Sequence, residues 1–253
     1  AYAFSFVDRQ ILSILFEPIK AEFDLSDTQL GFLGGIAFAL TYSILGIPLA
    51  MLADRGGRKG IISASLAIFS IMTALCGAAG SFAMLALARI GVGIGEAGVN
   101  PASQSIIADL FPKEKRSTPM ATVMAGAPVG MLTGLIGGSL IASTYGWRSA
   151  FYVVGLPGVL LAIVFWFTMR EPKRGGADKR EASMRDAPSL SETFYYMWRT
   201  KSLRYVVLAI TVASIPGYGA SAWLPSFFMR THDLTLAQAG MVLGLGGALS
   251  ALA

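Results

Sequence analysis

Charge is scarce in this chain. Asp, Glu, Lys and Arg make up 14% of its 253 residues, against about 25% in soluble domains, which argues against a surface bathed on all sides by water. Cysteine is reduced to Cys76, so neither an intrachain disulfide nor a cluster of metal-bound thiolates can form. His232 is the single histidine. With one imidazole and one thiol there is no nucleophile and base constellation and no metal-ligand set, so no enzyme, cofactor or bound metal is expected.

Apolar residues fill the space that charge leaves. They make up 54% of the sequence, and the mean hydropathy is +0.61. About 20 apolar residues cross a hydrocarbon core about 30 Å thick. Such runs lie near 1–19, 31–53, 60–80, 82–109, 118–144, 149–169 and 203–229, with a further one at 238–253. The expected fold is an all-α membrane bundle. Ala1 and Ala253 both stand inside apolar runs, so the reading is of about eight helices out of a larger set.

Net charge is +5, yet the basic residues follow topology and not a nucleic-acid face. Fifteen of the 20 Lys and Arg lie after the second, fourth and sixth spans. The positive-inside rule then puts those loops, and the start of the chain, on the cytoplasmic side. Residues 170–202, rich in both charge signs and containing Gly175 and Gly176, read as a cytoplasmic linker. They separate a first bundle at 1–169 from the start of a second at 203–253.

A shift of 209 positions sets Asp24-Leu25-Ser26-Asp27-Thr28-Gln29-Leu30-Gly31 against Asp233-Leu234-Thr235-Leu236-Ala237-Gln238-Ala239-Gly240. Both copies place Gln three residues after Ser or Thr, a capping box at a helix start. Parallel repetition of a six-helix half is a transporter architecture with its substrate site near the midplane. It predicts about four further helices beyond Ala253.

The loop after the second span reads Asp54-Arg55-Gly56-Gly57-Arg58-Lys59. It resembles the GxxxDRxGRR signature of the major facilitator superfamily, with Ala50 in place of the leading glycine. The resemblance implies a cytoplasmic latch between bundles, with Asp109 pairing Arg58. Topology-setting charge alone is the other reading of this turn. Arg89 followed by Gly91, Gly93 and Gly95 is similar to the family's fourth helix, and Tyr145-Gly146-Trp147-Arg148 to its turn between helices five and six. Within the superfamily, Phe6-Val7-Asp8-Arg9, Glu17-Pro18-Ile19-Lys20 and Gly95-Glu96-Ala97 look like the spinster-like subgroup, whose animal members carry lipids and lysolipids. A family of alternating-access transporters is thereby implied, with about eight of twelve helices present. The expected solute is amphiphilic or lipid-like, with protons as the coupling ion; a small polar nutrient or a drug is the alternative. The resemblance further implies an integral protein of a bacterial cytoplasmic membrane that acts as a monomer. A membrane receptor or enzyme is the reading from a different class.

Several residues follow from physics alone. Gly126, Gly130, Gly134 and Gly138 recur every four residues and form a smooth stripe for close helix packing. Gly93, Gly95 and Gly98 match GxGxxG, but no strand precedes them, so they too read as packing glycines. Ionisable residues within a span are functional hypotheses, and Asp8, Arg89 and Glu96 qualify. At about 1.5 Å per residue they lie about 15, 10 and 21 Å from the outer face, compatible with one cavity in which Asp8 and Glu96 exchange protons while Arg89 alternates between pairing a carboxylate and pairing an anionic head group. A static ion-pair network is the structural alternative. Arg9 is rotated about 100° from Asp8 and faces another helix or a second cavity wall. Asn100, Tyr218 and Trp223 are candidate cavity lining. Ile215-Pro216-Gly217-Tyr218-Gly219 predicts a break in the seventh span, Glu17 a hydrated carboxylate, and His232 a solvated ring.

Overall fold

The computed structural model describes residues 2–173 and 190–250, without the side chains of 54, 55 and 248–250. Gly175 and Gly176 of the expected linker therefore lie outside the described residues. Every regular element among those described is helical: α1 (Tyr2–Ile14), α2 (Phe16–Phe23), α3 (Asp27–Gly31), α4 (Ala37–Arg55), α5 (Arg58–Gly77), α6 (Phe82–Glu96), α7 (Val99–Leu110), α8 (Ser117–Met124), α9 (Gly126–Tyr145), α10 (Trp147–Thr168), α11 (Leu190–Arg199), α12 (Lys201–Thr231) and α13 (Leu236–Ser250). A π-helical turn, Phe32–Ile36, joins α3 to α4.

Six helical stretches are long and apolar enough to cross a membrane: Asp27–Ala53, Arg58–Gly77, Phe82–Leu110, Lys113–Tyr145, Trp147–Thr168 and Lys201–Thr231. The first expected span, 1–19, is instead two helices that part at Leu15. A proline stands just beyond this division and two more. Lacking an N–H, proline strands the carbonyl four residues before it and crowds it sterically. Pro18, Pro101 and Pro128 stand three or four residues beyond the interruptions at Leu15, Ala97–Gly98 and Ala125. The break expected around Pro216 is absent: α12 runs unbroken through Pro216 and Pro225. Pro48 of α4 and Pro157 of α10 likewise stand inside unbroken helices.

The sequence repeat has a backbone counterpart. Asp24 and Asp233, 209 positions apart, each have φ of 51° and are the only non-glycine residues with positive φ among those described. The Ser26 N–H donates to Gln29 Oε1 at 2.9 Å, and the Thr235 N–H to Gln238 Oε1 at 2.9 Å. Both copies turn out of one helix and cap the next in the same way.

Close packing rests on small residues. α9 lies along α1, α10 along α5, and α6 against α4 and α5. The four-residue glycine stripe of α9 meets α1 along its length. A Cβ built on Gly126 would touch Ala3, one on Gly130 Ala3 and Phe6, one on Gly134 Val7 and Gln10, and one on Gly138 Ile11. Gly93 faces the Phe38 carbonyl of α4 and Gly95 the Phe69 backbone of α5, so the GxGxxG pattern serves helix contact. Gly146, at φ 82°, turns α9 into α10 through backbone space open to glycine. That turn presents Trp147 Nε1 and Arg148 to one oxygen of Glu22, each at 2.6 Å, anchoring the end of α2.

Candidate functional site: two ion pairs and a polar cavity

The three intramembrane charges singled out in the sequence do not converge on one point. They form two pairs, using Arg9 as the fourth member. Asp8 and Arg9 are neighbours on α1 and point to different sides of it. Asp8 accepts from Arg89 at 2.6 Å through Oδ2 and from Thr73 at 2.5 Å through Oδ1. All three side chains are buried, with Asp8 wholly inaccessible. This pair ties α1 to α6, with α5 supplying the hydroxyl. Both Asp8 oxygens are satisfied, while Arg89 Nε has no partner among the described residues.

The second pair borders a cavity. Arg9 donates through Nε and a terminal nitrogen to a single oxygen of Glu96, at 3.1 and 2.7 Å. Glu96 Oε1 is buried and has no partner among the described residues. Glu96 closes α6, where Pro101 interrupts the following turn, so the kink sets its carboxylate at the wall. The Arg9 side chain retains 23% of its accessible surface and that of Glu96 only 1%. Arg9 is thus the more accessible partner of the pair.

A cavity of about 140 Å³ opens there, lined by Tyr2, Ser5, Phe6, Arg9, Tyr42, Glu96, Val99, Asn100 and Tyr218. Its walls come from α1, α4, the α6–α7 pair and α12. Aromatic faces surround the guanidinium: Arg9 Cζ lies 5.4 Å from the Phe6 ring centre, 4.7 Å from Phe38 and 5.3 Å from Tyr42. Phe38 also faces Arg89 at 5.6 Å, so one ring stands between the two arginines. Such faces hold a desolvated cation with about 0.5–2 kcal/mol each.

Of the expected lining residues, Asn100 and Tyr218 border this cavity and Asn100 donates to Tyr42 at 3.4 Å. Trp223 does not. It packs on Phe16 with ring centres 5.3 Å apart, because its place on α12 is nearer the end that meets α2. Arg89, expected to alternate between carboxylate and solute, is turned away from the cavity toward Asp8. Arg9 takes the cavity-facing place. The sequence signal for Arg9 was its charge within a span; which wall it faced depended on how α1 rolls against α9. Thr73 and Phe38 carried no signal in the sequence.

Two ionic clusters close opposite ends of the bundle. At one end Arg58, the first residue of α5, is buried beneath its partners. It pairs with Asp109, donates to Glu171 at 2.9 Å, and reaches the Ser105 carbonyl and hydroxyl and the Pro172 carbonyl. The Lys59 N–H adds a bond to Glu171 at 2.8 Å. Burial acts to raise the Glu171 carboxyl, but the bonds from Lys59 and Arg58 outweigh it and hold the group below its ordinary value. Asp109 was expected here; Glu171 was not. These Arg58 contacts all lie within α5, α7 and the segment after α10. The Asp54 and Arg55 side chains of the same motif lie outside the described set.

At the other end Arg230, near the close of α12, donates to Glu17 of α2 at 2.8 Å and to both oxygens of Asp27 at 2.8 and 2.9 Å. Lys20 adds a bond to Asp27 at 2.6 Å. Glu17 is therefore paired rather than merely hydrated, and His232 packs against Phe227 and Phe228. The residues of α12 here come from beyond the charged 170–204 region, so this cluster joins the earlier helices to the later ones.

The sequence profile described as Major Facilitator Superfamily matches residues 1–253. An MFS-type efflux pump of Mycolicibacterium smegmatis is 34% identical over 249 residues, covering 98% of this chain and 57% of that protein. A probable L-galactonate transporter of Escherichia coli is 26% identical over 253 residues, covering 97% of this chain and 56% of its own length. Among solved structures, a bacterial homologue of the human lysosomal transporter Spinster, in an inward-facing and unoccupied conformation, superposes with a TM-score of 0.88 at 34% identity, covering 99% of this chain and 58% of that one. The chain thus spans less than three fifths of the length of these relatives. A match across the whole chain, on a helical bundle with paired charges inside its spans, shows that it belongs to the Major Facilitator Superfamily, a family of membrane transporters and not of enzymes.

Proposed function

We propose that this chain forms the first bundle, residues 1–169, and the beginning of the second bundle, from 203, of a proton-coupled secondary transporter. Its solute is an amphiphilic or lipid-like organic molecule with an anionic head, moved by alternating access. The carrying observation is Arg9 and Glu96 at the cavity wall, one able to reach solute and the other buried behind it. Five N–H donors make a guanidinium suited to carboxylate or phosphate. When an anion draws Arg9 away, Glu96 loses the charge that compensates its burial, and binding a proton becomes favourable. Solute binding and proton binding are coupled through that exchange. Asp8, buried with both oxygens satisfied and outside the cavity lining, serves as the fixed anchor for Arg89, and the proton role falls to Glu96.

The face bearing fifteen of the 20 basic residues is taken as cytoplasmic. The Arg230 cluster then lies on the outer face and holds α12 against α2 and α3, which agrees with likeness to an inward-facing structure. A monomer in a bacterial cytoplasmic membrane is the corresponding assembly, with solute, protons and bilayer as its partners.

Likeness to a probable L-galactonate transporter favours a second reading, a small polar nutrient of the organic-acid kind. Both readings place an anion on Arg9. The test is flux of lysophospholipid and of sugar acid into vesicles containing the whole protein, with and without an imposed pH gradient. Coupling predicts gradient-driven accumulation that Glu96→Gln abolishes while downhill exchange persists. Uptake indifferent to the gradient in the unaltered protein would refute it.

A further inference from the structure

α11 has a surface that neither the cavity nor the ionic clusters use. At 100° per residue, Leu190, Phe194, Met197 and Trp198 fall within an arc of about 100°, while Glu192 and Arg199 lie opposite. Tyr195 follows the apolar arc at about 60° from Trp198, and Tyr196 lies on the polar side beside Glu192. Leu190 is 44% exposed, Phe194 52% and Trp198 65%, and α11 packs on α12. Ten residues make a helix about 15 Å long, half of what a span requires. α11 also does not extend α12: Thr200, at φ −81° and ψ 104°, bends the chain between them.

Position and charge indicate what covers this face. α12 begins at Lys201, at the same end of the bundle as the α5 start and the Arg58 cluster. Arg199, Lys201 and Arg204 are three cations within six residues, against Glu192 in α11. Arg199 and Arg204 stand near Tyr195 and Tyr205, with guanidinium to ring-centre distances of 5.9 and 5.2 Å. Trp and Tyr at the boundary of a span, an apolar stripe below and basic residues alongside are the features of a helix lying in the membrane interface. We infer that α11 is an in-plane anchor for an anionic lipid surface, its Leu190, Phe194 and Trp198 face seated at the edge of the acyl chains and Arg199, Lys201 and Arg204 held by lipid head groups. This rests on the membrane-spanning reading of α12 and is independent of solute or proton coupling.

The interface also has a mechanical consequence. A helix seated on the lipid surface and joined to α12 by one bent residue fixes the height of α12 at this membrane face. α12 contributes Tyr218 to the cavity wall and Arg230 to the far cluster. Lipid charge would thereby reach both through one continuous helix.

The test uses the whole protein in nanodiscs, spin-labelled at single cysteines replacing Glu192, Phe194, Tyr195 or Trp198. Cys76 is buried, and the unaltered protein serves as its labelling control. Collision with oxygen, enriched in lipid, and with a nickel chelate, confined to water, reports depth. Phe194→Cys and Trp198→Cys should favour oxygen, and Glu192→Cys and Tyr195→Cys should favour nickel. Replacing anionic with zwitterionic lipid, or Arg199, Lys201 and Arg204 with Gln, should shift positions 194 and 198 toward the aqueous reading. Exclusion of both reagents at 194 and 198 would mean that protein covers the face. Equal aqueous exposure of all four sites, or depth unmoved by lipid charge, would likewise overturn the inference.

Discussion

Gly134→Ala tests whether the small-residue seam between α1 and α9 sets the geometry of the cavity. The added methyl would lie 2.9 Å from Gln10 Cβ and from the Val7 carbonyl oxygen, and 3.1 Å from Val7 Cα. Carbon atoms in contact prefer about 3.5–4.0 Å, so α1 must withdraw by about half an ångström. Two of the three obstacles are backbone and cannot swing aside. Overpacking of this kind costs about 1–3 kcal/mol, but Ala also gains up to about 1 kcal/mol of helix propensity over Gly. Gly137→Ala separates the two effects, since no atom lies within 4 Å of a Cβ there. The difference between the two variants should therefore be about 1–3 kcal/mol against Gly134→Ala. For a chain of this size that corresponds to about 2–12 °C in melting temperature, read by thermal unfolding in detergent. Because Val7 directly precedes Asp8 and Arg9, the variant should also impair solute uptake by loosening the Arg9 bonds to Glu96. Equal melting points for the two variants, with uptake unchanged, would refute the reasoning.

Asp8→Asn leaves Arg89 buried without its counter-charge and should cost about 3–5 kcal/mol, whereas Glu96→Gln leaves a partly exposed Arg9 and should be milder; thermal unfolding of both variants checks the order, and the reverse order would contradict the division of roles. Arg230→Gln removes the bridge from α12 to Glu17 and Asp27, so spin-label distances between the ends of α2 and α12 should lengthen and broaden, and an unchanged distribution would show that the cluster holds nothing closed. Glu171 has its carboxyl held below the ordinary value of about 4.3 by bonds from Lys59 and Arg58 that outweigh burial. Its stabilisation is therefore complete above that ordinary value and is lost as pH falls through the lowered one. Protection of the Lys59 amide against hydrogen exchange should persist at pH 6 and disappear in strong acid, and Glu171→Gln should weaken it at pH 6 as well.

Six of the eight expected spans, the intramembrane charges and the internal repeat were legible because each depends on local chemistry. Apolar length answers to membrane thickness, a charge within a span is conspicuous wherever it faces, and Asp24 and Asp233 impose the same turn with the same capping residues. The glycine stripe of α9 was equally visible as a periodicity, though its partner was not. Tertiary structure decided which side of α1 each charge occupies. Asp8 and Arg9 are adjacent in sequence, yet rotation by one residue sends Asp8 to Arg89 and Thr73 and Arg9 to Glu96 and the cavity. It also decided that Trp223 serves the α2 contact, that Glu171 completes the Arg58 cluster, and that Pro216 leaves α12 unbroken while Pro18, Pro101 and Pro128 interrupt their spans. The physical reason is that helical periodicity determines relative angle along one helix, whereas the absolute roll of that helix is set by the neighbour its small residues admit.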